Sequence, residues 1–114
     1  AKQLWAQHPL FASVKNPIAV THLLAGMAGF SGQQWIKDAQ VPVLSDVEHL
    51  HSLSVPTLLL TGALDMPDFR LMGDVLSAAV PHITRLDFAD AGHMLDLEKP
   101  QDVAAQIAGF IAGA

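Results

Sequence analysis

Residues 55–65 read VPTLLLTGALD, an unbroken apolar run that ends in glycine and is followed by an acidic residue. Such a run, without alternation of polar and apolar side chains, is typical of a strand that is buried on both faces. Residues 67–80, PDFRLMGDVLSAAV, have helical spacing, with Pro67 suited to the first turn or Asp68 to the cap. Residues 83–88, ITRLDF, then have the character of a second strand.

A strand, a helix and a strand joined by short connections predict a βαβ unit with parallel strands and a right-handed crossover. The carboxyl ends of both strands then lie at one edge of the sheet, where open α/β sheets form their sites. Asp65 comes just after the first strand, and His93 ends the loop ADAGH that follows the second. We therefore expect these two side chains to meet. A carboxylate bonded to one ring nitrogen fixes the tautomer of a histidine and leaves the other nitrogen free to accept a proton.

A purely structural interpretation of the pair is also open, in which Asp65 caps a helix and His93 is an ordinary loop residue. Three other aspartates compete for the role of the acid: Asp68, Asp90 and Asp96. Asp68 is better placed as a helix cap, and the two that flank the histidine do not directly follow a strand end. Glu98 is expected to interact with the positive end of the last helix.

Two further helices are predicted. Residues 43–53 are expected to form a helix after Pro42 with one apolar face, made of Leu44, Val47, Leu50 and Leu53. Residues 100–114 are expected to form the closing helix, with Pro100 in its first turn. The side chains that it should turn inward are Val103, Ile107, Phe110 and Ile111. Nearer the start of the chain, the spacing of Leu23, Leu24, Met27 and Phe30 indicates a short amphipathic helix.

The stretches VPTLLLTGALDMPDF and ADAGHMLDLEKPQDVAAQIAGFI, within residues 55–111, resemble the C-terminal part of an α/β-hydrolase. That family orders its triad as nucleophile, acid and histidine, so the resemblance implies that Asp65 is the triad acid and His93 the triad base. It also implies an α/β fold of two parallel strands with helices, completed by an N-terminal half that this chain lacks. Residues 1–41 would then be a helical lid segment and residues 42–114 part of the hydrolase core.

The nucleophile of this family is a serine in a G-x-S-x-G turn between a strand and a helix. The nearest stretch is GFSGQ at residues 29–33, in which Ser31 precedes the acid and the histidine. Gln33 replaces the last glycine, the residues before it are too glycine-rich for a buried strand, and the interval to Asp65 is too short for the intervening strands. We therefore expect the serine and part of the oxyanion hole to come from an N-terminal half on another chain or segment. The enzyme would then be an esterase-like serine hydrolase, active only together with that half.

Two alternatives to this function remain open. The chain could be a non-catalytic module that uses a hydrolase-like scaffold for binding. Alternatively, the missing nucleophile could be an aspartate, as in dehalogenases and epoxide hydrolases. A second chain carrying G-x-S-x-G in the purified protein would favour the serine hydrolase.

Composition excludes several other classes of function. The chain of 114 residues has a formal charge of −5 without a Lys/Arg cluster, so neither nucleic acid nor a membrane surface is an expected partner. No apolar run is long enough to span a bilayer. The absence of cysteine excludes thiol nucleophiles and Cys-based metal sites. No metal site and no cofactor are expected. The expected location of the protein is the cytoplasm.

Large apolar side chains in the lid segment suggest the type of substrate. Both tryptophans and two of the five phenylalanines lie there, ahead of the hydrolase-like core. The predicted substrate is therefore a small apolar acyl compound. The side chains expected to contact it are Trp5, Phe11, Phe30, Trp35 and Met94. In the alternative interpretation, the four aromatic side chains only pack the lid segment.

Overall fold

The computed structural model describes residues 1–37, 39–43 and 45–113. The helices and strands among them, in chain order, are α1 (Lys2–Ala6), α2 (Pro17–Gly29), β1 (Thr57–Gly62), α3 (Pro67–Ala79), β2 (Ile83–Phe88), α4 (Leu95–Glu98) and α5 (Pro100–Gly113). Short 3₁₀ helices span Pro9–Phe11, Gln33–Trp35 and Val47–Ser52. None of the helices in the described ranges is long and apolar enough to cross a bilayer.

The two strands are parallel, which confirms the predicted βαβ unit. Their register pairs Thr57 with Ile83 at one end and Gly62 with Phe88 at the other. Helix α3 connects them and packs on both. Gly62 is required at the end of β1, because a Cβ atom there would overlap the carbonyl oxygens of the loop that follows β2. The absent side chain thus lets the two loops at this edge approach each other.

Helix α3 begins as its proline predicts. Met66 is the N-cap without a capping side chain, and Pro67 occupies the first turn. The backbone N–H of Met66 donates to Asp65 Oδ1 at 2.7 Å. The prediction that Asp68 caps this helix was wrong, because proline opens the helix with its fixed φ and needs no N–H acceptor. Asp68 lies exposed in the first turn.

The burial predicted for β1 and α5 is only partly observed. Most of β1 is half-buried rather than buried on both faces. In α5, Val103 and Phe110 are half-buried as expected, whereas Ile107 and Ile111 remain 44% and 66% exposed. Strands in a sheet are about 4.8 Å apart, so two of them are too narrow to cover a whole helix face. The inward prediction for Ile107 and Ile111 is therefore wrong for this chain.

The α-helix predicted over residues 43–53 does not form. Among the described residues of this stretch, a 3₁₀ helix over Val47–Ser52 stands in its place, and no capping side chain starts it. Val47 and Leu53 are exposed, whereas Leu50 is half-buried and the 3₁₀ helix contacts α3, so the predicted apolar face is only partly covered. Leu44, the fourth residue placed on that face, lies outside the described residues. With so little tertiary cover, a short α-helix of this kind is not stable.

The predicted lid segment, residues 1–41, contains the two N-terminal helices. Asn16 caps α2, since its Oδ1 accepts from the backbone N–H groups of Ile18 at 2.9 Å and Ala19 at 3.4 Å. The helix continues through Gly26, so a helix around Met27 is confirmed, but it is apolar on all sides rather than amphipathic and it ends at Gly29, before Phe30. It packs on α1 and on α4, which brings the lid segment against the loop that carries His93.

Candidate active site

Asp65 and His93 lie in hydrogen-bond contact beyond the carboxyl ends of the two strands. Asp65 Oδ2 is 2.9 Å from His93 Nδ1. The Asp65 side chain is 11% exposed and that of His93 is 32% exposed, so the pair is shielded but reachable. A carboxylate only accepts hydrogen bonds, and therefore the Nδ1 atom carries the proton in this arrangement. In the neutral ring, the Nε2 atom is then the basic one.

Backbone hydrogen bonds hold the acid loop and the histidine loop together. The N–H of Ala63 donates to the Phe88 carbonyl at 2.9 Å, and that of Leu64 donates to the Ala91 carbonyl at 2.9 Å. Asp65 closes its own turn, with its N–H 3.1 Å from the Gly62 carbonyl. The pair therefore sits on two loops that are joined to each other as well as to the sheet.

The ring of Phe69 lies against the imidazole and was not predicted as part of the site. The two ring centroids are 4.2 Å apart with an interplanar angle of 48°. Phe69 lies on α3, four residues after Asp65 in the chain. This short interval was the signal in the sequence that could have placed Phe69 at the site. A ring in contact at this distance restricts the orientation of the imidazole. A concave space of about 220 Å³ is lined by Asp65, Phe69, His93 and Leu95, among others.

The rival aspartates are placed elsewhere. Asp90 Oδ2 accepts a hydrogen bond from Lys99 Nζ, and this bond lowers the pKa of the Asp90 carboxyl and raises that of the lysine. Asp68 and Asp96 lie exposed on α3 and α4. Of the four candidate acids, Asp65 is therefore the one that the described structure pairs with the histidine.

Glu98 has a different partner from the one predicted. Its carboxylate accepts from the backbone N–H of Gly92 at 3.0 and 3.2 Å and from that of Met94 at 3.1 Å. It thus binds the loop on both sides of His93 rather than the start of α5. The prediction missed these bonds because the fold, and not spacing along the chain, brings the two N–H groups within hydrogen-bond distance of the carboxylate.

The aromatic side chains of the predicted lid segment form one cluster with Trp5 at its centre. The ring centroid of Trp5 is 6.1 Å from Phe11, 5.4 Å from Phe30 and 5.2 Å from Trp35. Trp5, Phe11 and Met94 line a mostly apolar concave space of about 280 Å³. Phe30 and Trp35 do not line it and instead pack on each other and on Trp5. The five predicted contact residues are therefore divided between a concave surface and the packing behind it.

Ser31 is not on a turn between a strand and a helix. It follows α2, and Gly32 after it has a left-handed backbone with φ of 67°. Its Oγ lies 3.5 Å from the backbone N–H of Gln33, at the start of a 3₁₀ helix. In the described part of the chain, no group of three His, Asp or Glu side chains could hold a metal ion.

Comparison with known proteins finds a similar curated protein and a similar solved structure. The chain is 28% identical over 101 residues to Carboxylesterase YbfK of Bacillus subtilis (strain 168), a match that covers 86% of this chain and 34% of that protein. The crystal structure of carboxylesterase CesB (YbfK) from Bacillus subtilis matches with a TM-score of 0.64 at 27% identity. This structural match covers 88% of this chain and 36% of that one, so the chain spans about a third of the carboxylesterase. No family model matches.

Proposed function

We propose that this chain, which has the fold of the C-terminal part of an esterase-type α/β-hydrolase, functions in the hydrolysis of an ester or related acyl bond. Asp65 and His93 are the acid and the base of its catalytic triad. The observation that carries this proposal is the 2.9 Å contact between Asp65 Oδ2 and His93 Nδ1. It lies where the carboxyl ends of two parallel strands meet, the usual location of sites in such sheets.

In the proposed triad, each of the two side chains has its own role. His93 Nε2 takes the proton from the hydroxyl nucleophile as that oxygen attacks the acyl carbon, and then gives it to the leaving alcohol. Asp65 remains ionised, keeps the proton of the neutral ring on Nδ1 and stabilises the imidazolium that forms.

The nucleophile is proposed to lie on the N-terminal half of such a hydrolase, which is the partner of this chain. No serine among the described residues stands directly after a strand, where a nucleophile turn would place it. The chain also spans only about a third of the carboxylesterase that it resembles. The serine and part of the oxyanion hole would therefore come from residues outside this chain.

The surface of the chain supports such a partner. Its accessible surface is 8330 Å², whereas a compact monomer of 12.1 kDa exposes roughly 6000 Å². The excess is comparable to the area that an obligate protein interface buries. Apolar side chains contribute to it, among them Leu64, Leu71, Ile107 and Ile111. An N-terminal half that continues the sheet would cover apolar surface of this kind.

The substrate is proposed to carry a small apolar acyl group. The concave space lined by Trp5, Phe11 and Met94 is mostly apolar and adjoins the histidine loop, because Met94 directly follows His93. Apolar walls beside a few polar groups are typical of small-molecule sites. The lid segment would thus bind the apolar part of the substrate while the pair acts on the acyl bond.

The test is hydrolysis of a generic ester by the complete two-part enzyme. His93→Ala should lower kcat/KM by about 10² to 10⁴, because it removes the general base. His82→Ala is the matched control, since His82 is an exposed histidine in the turn before β2, and its kcat/KM should stay unchanged. Full activity in His93→Ala would refute the proposed function.

A further inference from the structure

We propose that Glu98 is a positioning residue that fixes the backbone of the base His93, an inference that rests on the proposed function. It acts on the main chain, whereas Asp65 and Phe69 contact the ring. Rate in acyl transfer depends on the distance and angle between base and nucleophile. A residue that sets the position of the His93 Cα therefore affects the reaction without touching the substrate.

One carboxylate holds both ends of the histidine residue. Both oxygens of Glu98 lie within 3.2 Å of the Gly92 N–H, and Oε2 also accepts from the Met94 N–H at 3.1 Å. These N–H groups belong to the residues directly before and after His93. Their shared acceptor fixes the direction in which the main chain enters and leaves the histidine.

A carboxylate suits this role better than an amide. It offers about four lone-pair sites and no donor, and its charge strengthens each hydrogen bond. Glutamine has the same size but presents one acceptor oxygen and an NH₂ group, which would face a backbone N–H. The side chain of the adjacent Lys99 donates its hydrogen bond to Asp90, and Glu98 is the weakest of the carboxylates that act on its charge. The carboxylate of Glu98 is thus left to the two backbone N–H groups.

The loop that carries His93 is tightly packed, so it has few other conformations available if the Glu98 carboxylate is lost. Gly92 is buried, and a Cβ atom on it would overlap the Oγ of Ser13 from the lid segment. Ala91 before it is fully buried. Without the Glu98 carboxylate, the two N–H groups would be left unsatisfied in a half-buried place, which favours a shifted loop.

The experiment compares E98Q with D90N in the complete enzyme. The concentration of active sites is titrated for each variant, and kcat is calculated per active site. D90N is the matched control, because it also removes one carboxylate charge beside the histidine loop, but Asp90 bonds to Lys99 and not to the N–H groups that flank His93. We expect kcat of E98Q to fall by about 10 to 10², with KM near that of the unchanged enzyme, since a shift of about 1 Å can cost that much. Hydrogen exchange at Gly92 and Met94 should accelerate in E98Q while exchange in β1 stays the same.

Unchanged kcat in E98Q, or an equal loss in D90N, would overturn the role of Glu98. If E98Q does not fold, E98D takes its place: it keeps the charge but is one methylene shorter, and normal kcat in E98D would likewise overturn the role. H93A, measured in parallel, separates the two proposals. Loss of activity in H93A with normal kcat in E98Q would refute only the positioning role. Full activity in H93A would refute the proposed function, and the exchange rates would still test whether Glu98 holds the loop.

Discussion

At the scale of single residues, the two oxygens of Asp65 have different partners. Oδ2 contacts His93 Nδ1 at 2.9 Å, and Oδ1 accepts from the Met66 N–H at 2.7 Å. The carboxylate is therefore oriented by the first turn of α3 before it meets the ring. This division of roles predicts how the site responds when one oxygen is replaced by nitrogen.

Asp65→Asn in the complete enzyme should lower kcat by as much as ~10⁴, the size of the effect in serine proteases. The carbonyl oxygen of the new amide would still accept from the Met66 N–H, so the NH₂ group would face His93 Nδ1. Because NH₂ donates, Nδ1 would have to accept, and the proton of the neutral ring would move to Nε2. Asp68→Asn, on the exposed first turn of the same helix, should leave kcat nearly unchanged. Steady-state kinetics on one ester would measure both. A severe loss in Asp68→Asn with normal activity in Asp65→Asn would identify Asp68 as the acid.

At the scale of elements, the aromatic side chains of the predicted lid segment form two layers. Trp5 and Phe11 line the apolar concave space beside Met94, while Phe30 and Trp35 lie behind Trp5. The front layer should influence which substrates fit, and the back layer should support it. Trp35 is 49% exposed, so its truncation removes less buried contact than that of a core residue.

Trp5→Ala should enlarge the concave space and shift kcat/KM toward esters with longer acyl chains by roughly 10-fold, the scale on which apolar pockets discriminate. Trp35→Ala should change this preference less, because its ring does not line the space. The measurement is kcat/KM on a series of straight-chain acyl esters, with the melting temperature of each variant recorded. A uniform loss across the series, with a large fall in melting temperature, would assign Trp5 to packing alone.

At the scale of the whole molecule, the chain is more open than a finished domain of its length. Its radius of gyration is 16.4 Å, whereas about 13 Å is typical of a compact chain of 114 residues. The two-stranded sheet leaves part of α5 uncovered. Sheets with so few strands are seldom stable on their own.

The isolated 114-residue chain should therefore be insoluble or molten, and co-expression with the N-terminal half of its hydrolase should give a cooperative fold. Calorimetry and near-ultraviolet circular dichroism of the chain alone should show no sharp transition and weak tertiary signals. The same measurements on the two-part protein should show a sharp transition and strong tertiary signals. A single cooperative thermal transition from the isolated chain would contradict this prediction.

The sequence by itself determined the βαβ unit and which loops carry the acid and the histidine. These features depend on local patterns: the apolar run of β1, the proline that opens α3 and the loop after β2. Parallel strands bring their carboxyl ends to one edge, so neighbouring loops could be paired without coordinates. The resemblance to α/β-hydrolases rests on the same two stretches, and the match to the carboxylesterase agrees with it.

Only the tertiary structure decided the partners of Glu98, the place of Phe69 and the exposure of α5. The partner of a side chain depends on which groups the folded backbone brings within about 3 Å, and spacing along the chain does not specify that. Glu98 turned to the histidine loop because the chain folds back there and presents two N–H groups. Apolar spacing marks the face of α5 that could be buried, but Ile107 and Ile111 stay exposed because burial also requires a surface to pack against.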